Sequence, residues 1–195
     1  MSAPVSAEAC AAGFAHPPEE AACAFRAAMT AMARPGNVQE IGAALRAPAG
    51  ISQAAAALLL TLTGPETGVC LAPGVESAGL RAWLAFHTGA PVVAAPEAGF
   101  ALGTWDALLP LTQYRAGTPE YPDRSATLIV ETAGFAPANA RLRGPGIKDS
   151  IRMALPGIAA LQENARGYPL GLDFFFTCGA EVAALPRSAQ ITAED

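Results

Sequence analysis

Glycine and proline divide this chain into short segments, and the apolar pattern changes character from one segment to the next. With 19 Gly and 17 Pro in 195 residues, few stretches are long enough for anything but a single helix or strand. Segments with a 3.6-residue period alternate with short β-branched or aromatic runs in the first half. Hairpin-like pairs dominate the second. Such an order fits an α/β layer structure, a mixed sheet flanked by helices, rather than a bundle or an all-β sandwich.

The segments can be placed individually. Pro17-Pro18-Glu19-Glu20 opens a helix, since proline is tolerated in the first turn and acids suit the N-terminal dipole. Phe25, Met29 and Met32 follow at i, i+4 and i+7 and are expected to form its buried face. Arg34-Pro35-Gly36 ends it. Asn37 to Ile41 reads as a short strand. Ser52 caps a second helix to about Thr61. Val69-Cys70-Leu71 reads as a strand, Ser77 to His87 as a third helix, Phe100 to Gly103 as a strand and Asp106 to Leu111 as a short helix. After a loop from Tyr114 to Asp123 come strands at Thr127 to Glu131 and Arg141 to Arg143. A helix from Pro156 to about Ala165 precedes a hairpin of Leu172 to Cys178 with Val182 to Leu185. Residues 1–16 carry no clear period and are expected to be loosely held, leaving 17–195 as a single domain.

Composition narrows the partners. Apolar residues make up 52% of the chain, but 46 of them are Ala, so the core must rely on close packing of small side chains. Part of the apolar surface is expected to be covered by a partner. A net charge of −5 argues against nucleic acid or an anionic membrane surface as a target. The longest purely apolar run, Ala54 to Leu60, is far short of a membrane span. Cys10, Cys23, Cys70 and Cys178 are scattered without a Cys-x-x-Cys spacing, which points to reduced thiols in a cytoplasmic protein rather than to zinc or a redox pair.

The chemistry-bearing residues are few. The lone lysine, Lys148, follows a Gly-Pro-Gly turn and reads as exposed, a poor position for a Schiff base. No Gly-x-Ser-x-Gly elbow, Walker loop or dinucleotide fingerprint occurs, and Pro145 lacks the N–H that a phosphate-cradling turn would need. His87 ends a helix, where it either complements the dipole or contacts a ligand or partner. Arg141, Arg143, Lys148 and Arg152 crowd into twelve positions. Arg141 and Arg143 share a strand face, suited to bidentate recognition of phosphate or carboxylate or to a solvated face meeting a partner's acids. Asp173 enters an apolar strand and needs a partner. Arg187 is placed by the hairpin to supply it, as an ion pair or as part of a site.

Several segments taken in order resemble the PhnH family, a subunit of the bacterial carbon–phosphorus lyase core complex. They are Phe25-Arg26 with Ala31-Met32 and Pro35-Gly36, Phe86-His87-Thr88-Gly89-Ala90-Pro91, Ala126-Thr127-Leu128, and Gly144-Pro145-Gly146-Ile147. Pro169-Leu170-Gly171-Leu172-Asp173, Thr177-Cys178-Gly179 and Leu185-Pro186-Arg187 complete the set. The resemblance implies a role in phosphonate catabolism, in the transfer of a ribose triphosphate from ATP to a phosphonate with release of adenine. It implies a fold like the large domain of type I pyridoxal phosphate transferases without the cofactor, and no cofactor is expected here. It also implies homodimers in isolation, other core-complex subunits as partners, and no catalytic residue of its own. Ligand or partner contacts would fall on His87, Arg141, Arg143, Asp173 and Arg187. The alternatives are an independent small-molecule enzyme using His87, Asp173 and the Arg141/Arg143 face, or a homodimeric scaffold that binds no ligand. One departure is Gly68, where the family usually has proline before Val69.

Overall fold

The computed structural model describes residues 12–194. Among the described residues, helices α1 (Pro17–Ala33), α2 (Gln53–Leu62), α3 (Ala78–His87) and α4 (Ile158–Arg166) accompany nine strands. A six-stranded sheet has the order β1 (Gln39–Glu40), β8 (Glu181–Leu185), β7 (Asp173–Cys178), β4 (Thr127–Glu131), β3 (Phe100–Thr104) and β2 (Val69–Leu71). Strands β2, β3, β4 and β7 are parallel, while β8 runs antiparallel to β7 and to β1. A separate three-stranded antiparallel sheet has β5 (Ala140–Arg143) between β6 (Ile151–Met153) and β9 (Gln190–Ala193). The architecture is therefore α/β with a mixed sheet.

Period-two alternation divides the core into two layers. Leu102, Ile129, Phe175, Val182 and Ala184 face α1, α2 and α3. Ala101, Leu128, Val130, Phe174, Phe176 and Leu185 face the small sheet and α4. The central strands are buried on both sides, which is why Leu128-Ile129-Val130 and Phe174-Phe175-Phe176 read as continuous apolar runs rather than alternating ones.

Local signals explain most boundaries. Ser52 and Ser77 cap α2 and α3, each Oγ accepting a backbone N–H three residues on. The Glu131 carboxylate, at the carboxyl end of β4, accepts from Ser52 N at 2.7 Å and from Thr177 Oγ1 at 3.1 Å, tying α2 to the sheet. Ala12 and Gly13 are held in place. Trp83 Nε1 donates to the Ala12 carbonyl at 3.0 Å, and Gly13 bridges to Arg46. Of the segment read as loosely held, residues 1–11 lie outside the described residues.

Two expectations need correction, and two strands were not foreseen. The buried face of α1 is Ala24, Ala28 and Ala31. Phe25 and Met29 are exposed, at 48% and 57%. Helix α1 lies directly on α2 and β8, and α2 presents Ala54 to Ala57 within the core. Backbones that approach so closely leave room only for small side chains, so Phe25 and Met29 turn outward, while Met32 does pack, partly buried, against the core. Asp106 to Leu111 is not one helix but two 3₁₀ turns, Asp106–Leu108 and Leu111–Gln113, with Pro110 between them. Strands β6 and β9 lie in segments whose own sequence carries little strand signal.

Candidate functional site

Two clusters of charge stand out, and both arise from strand pairing. In the β7–β8 hairpin Phe174 pairs with Leu185, so Asp173 and Arg187 meet just beyond the last paired residues. Arg187 donates from its backbone N–H to Asp173 Oδ1 at 2.8 Å and from Nε to the same oxygen at 3.1 Å; Nη2 bonds Oδ2. Its Nη1 donates to the Pro122 carbonyl at 2.7 Å. The side chains are only 14% and 20% exposed. This bidentate fork closes the hairpin and clamps it to the 3₁₀ turn Pro122–Arg124 that leads into β4. Ser125, at the end of that turn, has a buried Oγ with no hydrogen-bond partner among the described residues.

The second cluster lies on the outer face of the small sheet. Arg141 on β5 is directly opposite Arg152 on β6 and Thr192 on β9, and Arg143 is opposite Gln190. Directly opposed residues of antiparallel strands point to the same face, so the three guanidinium groups share one surface. Glu194, just past β9, accepts from Arg141 Nε with Oε1 and from Arg152 Nε with Oε2, the latter at 2.7 Å. Arg141 Nη1 also donates to Ser150 Oγ at 2.8 Å. Burial pushes the Glu194 carboxyl up, but the hydrogen bonds and charges of the two arginines outweigh it, and its pKa is lowered. Arg143 is exposed and its side chain makes no hydrogen bond or ion pair among the described residues.

His87 stands apart from both. Its ring packs 5.4 Å from that of Trp83 and edge-on to Phe86 at 4.9 Å, in the layer of α1 to α3. The backbone of residue 13 crosses it so closely that a Cβ on Gly13 would lie 2.9 Å from His87 Cε1. The structure thus joins Asp173 to Arg187 and sets Arg141 beside Arg143, while His87 belongs to the opposite side of the main sheet. Lys148 is exposed on the turn after β5. Among the described residues no group of three or more His, Cys, Asp or Glu is arranged to hold a metal, and no helix is long and apolar enough to cross a membrane.

Sequence reasoning missed Glu194 and the opposition of Arg152 to Arg141, because both depend on β6 and β9 pairing with β5. It also missed the apolar cleft of about 570 Å³ beside α4, lined by Leu109, Leu111, Tyr114, Ala160, Asn164 and Leu172 among others.

One of the family segments falls at a very close approach of two stretches of backbone. In Gly144-Pro145-Gly146, a Cβ on Gly146 would sit 2.0 Å from the Ala33 carbonyl oxygen and one on Gly144 3.2 Å from that of Ser188. The turn is wedged between the end of α1 and the loop before β9. At the departure noted above, a Cβ on Gly68 would lie 2.8 Å from Val93 Cγ2, so this chain packs Val93 into the space that the glycine leaves.

Comparison with known proteins bears on the whole chain. The family model described as bacterial phosphonate metabolism protein (PhnH) matches residues 12–192. Alpha-D-ribose 1-methylphosphonate 5-triphosphate synthase subunit PhnH of Rhizobium meliloti is 36% identical over 189 residues, covering 93% of this chain and 94% of that protein. A protein of Stutzerimonas stutzeri named as a C-P lyase subunit, HtxG, is 31% identical over 179 residues, covering 86% of this chain and 84% of its own. The family match runs from residue 12 into β9, and the chain belongs to the PhnH family of bacterial phosphonate metabolism proteins.

Proposed function

We propose that this protein is a cytoplasmic subunit of the carbon–phosphorus lyase core complex, needed for transfer of ribose 5-triphosphate from ATP to a phosphonate with release of adenine. It contributes surface and shape and does not hold a complete active site by itself. The observation that carries this reading is the end-to-end similarity to a relative named as a subunit of a ribose 1-methylphosphonate 5-triphosphate synthase. A second observation supports it: α1 turns Phe25 and Met29 outward, beside Arg26 and Arg34, in a shallow groove of about 700 Å³. Large apolar side chains exposed together are a surface for a partner. In this reading the isolated chain pairs as a homodimer, and the helix-flanked mixed sheet is akin to the large domain of type I pyridoxal phosphate transferases without the cofactor.

An independent enzyme built on His87, Asp173 and the Arg141/Arg143 face is disfavoured by placement. His87 and the arginines lie on opposite sides of the main sheet, and the Asp173 carboxylate is committed to Arg187. Co-expression with the other core subunits tests the proposal. Stable co-purification is expected; a folded chain that binds none of them, or that processes a phosphonate unaided, overturns it.

A further inference from the structure

We propose that the outer face of the small antiparallel sheet is a binding site for a polyphosphate group, with Arg141, Arg143 and Arg152 as ligands and Glu194 as a built-in occupant that the ligand displaces. The choice of polyphosphate rests on the functional reading above; the site itself rests on geometry.

Arg141 and Arg152 are direct cross-strand neighbours. Like charges in that position repel, so the pairing calls for an anion between them. Glu194 meets that need by giving one oxygen to each Nε, which shows that a two-oxygen anion fits the fork. A phosphoryl group offers the same pair of oxygens and carries more charge. Arg143 is two residues further along the same strand, about 6.6 Å from Arg141 at ordinary strand rise. Glu194 leaves it uncontacted, whereas a chain of phosphoryl groups could span both positions. Thr192 and Gln190, opposite Arg141 and Arg143, add a hydroxyl and an amide to the same surface, and Ser150 braces the Arg141 guanidinium from the side.

Charge and accessibility agree. The chain is acidic overall, at −5, yet this face gathers Arg141, Arg143 and Arg152 against Glu194. The guanidinium side chains are accessible, at 42% for Arg141 and 56% for Arg152. Glu194 itself is only 19% exposed, but both of its cations stay open to water, and ion pairs to solvated cations contribute little to stability, so a more highly charged anion can take its place. A polyphosphate gains several charge-assisted hydrogen bonds in return. Its binding should weaken steeply with added salt, because exposed charges are screened.

The test is calorimetric titration of the full chain at low ionic strength with inorganic tripolyphosphate, and in parallel with a polyglutamate peptide. Tripolyphosphate is expected to bind. Glu194→Gln should tighten it and Arg143→Ala should weaken it, each by about tenfold, the worth of one charge-assisted hydrogen bond. Arg143→Ala touches no internal contact, so folding is preserved even if Arg141→Ala proves unstable. No tripolyphosphate binding, binding unchanged in both variants, or binding of polyglutamate alone overturns the proposal. Co-purification with partner subunits is unaffected by any of these results, so this site and the subunit reading stand or fall separately.

Discussion

Arg187 grips Asp173 with its backbone N–H and two guanidinium nitrogens while its remaining terminal nitrogen holds the Pro122 carbonyl. One side chain thereby fixes the open end of the β7–β8 hairpin to the turn that feeds β4. Removing either partner strands a poorly exposed charge. Arg187→Ala is expected to cost about 2–3 kcal/mol, somewhat below the cost of breaking a fully buried pair, and to lower the melting temperature by roughly 5–10 °C for a domain of this size. Calorimetric melting checks this. A drop of under a degree would mean that the fork contributes nothing to folding.

Gly146 has a φ of +81° and lies against the Ala33 carbonyl, so the Gly-Pro-Gly turn docks backbone to backbone on the end of α1. Gly74 has a φ of +94° but open space around it. The two positions separate strain from collision. Gly74→Ala should cost about 1–2 kcal/mol, the penalty of a left-handed conformation. Gly146→Ala bears the same strain plus a clash with backbone that cannot move aside, and is expected to yield little folded protein. Equal stabilities in urea denaturation would contradict that distinction.

How legible these features were depended on whether a residue's neighbours lay close in sequence. The Asp173–Arg187 pair was readable because a hairpin with Gly179 at its turn dictates its own return path. The central strands were readable because they are apolar throughout. The α1 face was misread because Phe and Met outrank Ala on any hydrophobic scale, whereas burial there was decided by how closely α1 approaches α2. Glu194 and the Arg141–Arg152 opposition were invisible for a related reason: Ile151–Met153 and Gln190–Ala193 are strands only because β5 lies between them.

Tyr114 provides a test of the second core layer. Its phenol is pushed up to about 12, first by burial and then by Cys70. The folded value lies above the ordinary phenol value of about 10, so the folded state holds the proton more tightly than the unfolded one. Its contribution to stability is complete below about pH 10 and is lost as the pH climbs through about 12. Stability measured by urea denaturation should therefore fall across that window. Tyr114→Phe should flatten the slope there. An unchanged slope in the variant would place the alkaline loss elsewhere.

The two faces of α1 make opposite predictions for substitutions of similar position. Met29 is exposed, so Met29→Lys should change stability by no more than about 0.5 kcal/mol. Ala28 is 3% exposed on the buried face, where added bulk has no space, and Ala28→Leu should destabilise by about 1–3 kcal/mol. Association should show the reverse order. Met29→Lys puts a charge in the middle of the outward apolar groove and is expected to abolish co-purification with partner subunits while the chain stays folded. Ala28→Leu, examined below its melting temperature, should still bind. Thermal melts and pull-downs of both variants decide the matter: normal binding by Met29→Lys would show that the groove beside Phe25 is not where a partner docks.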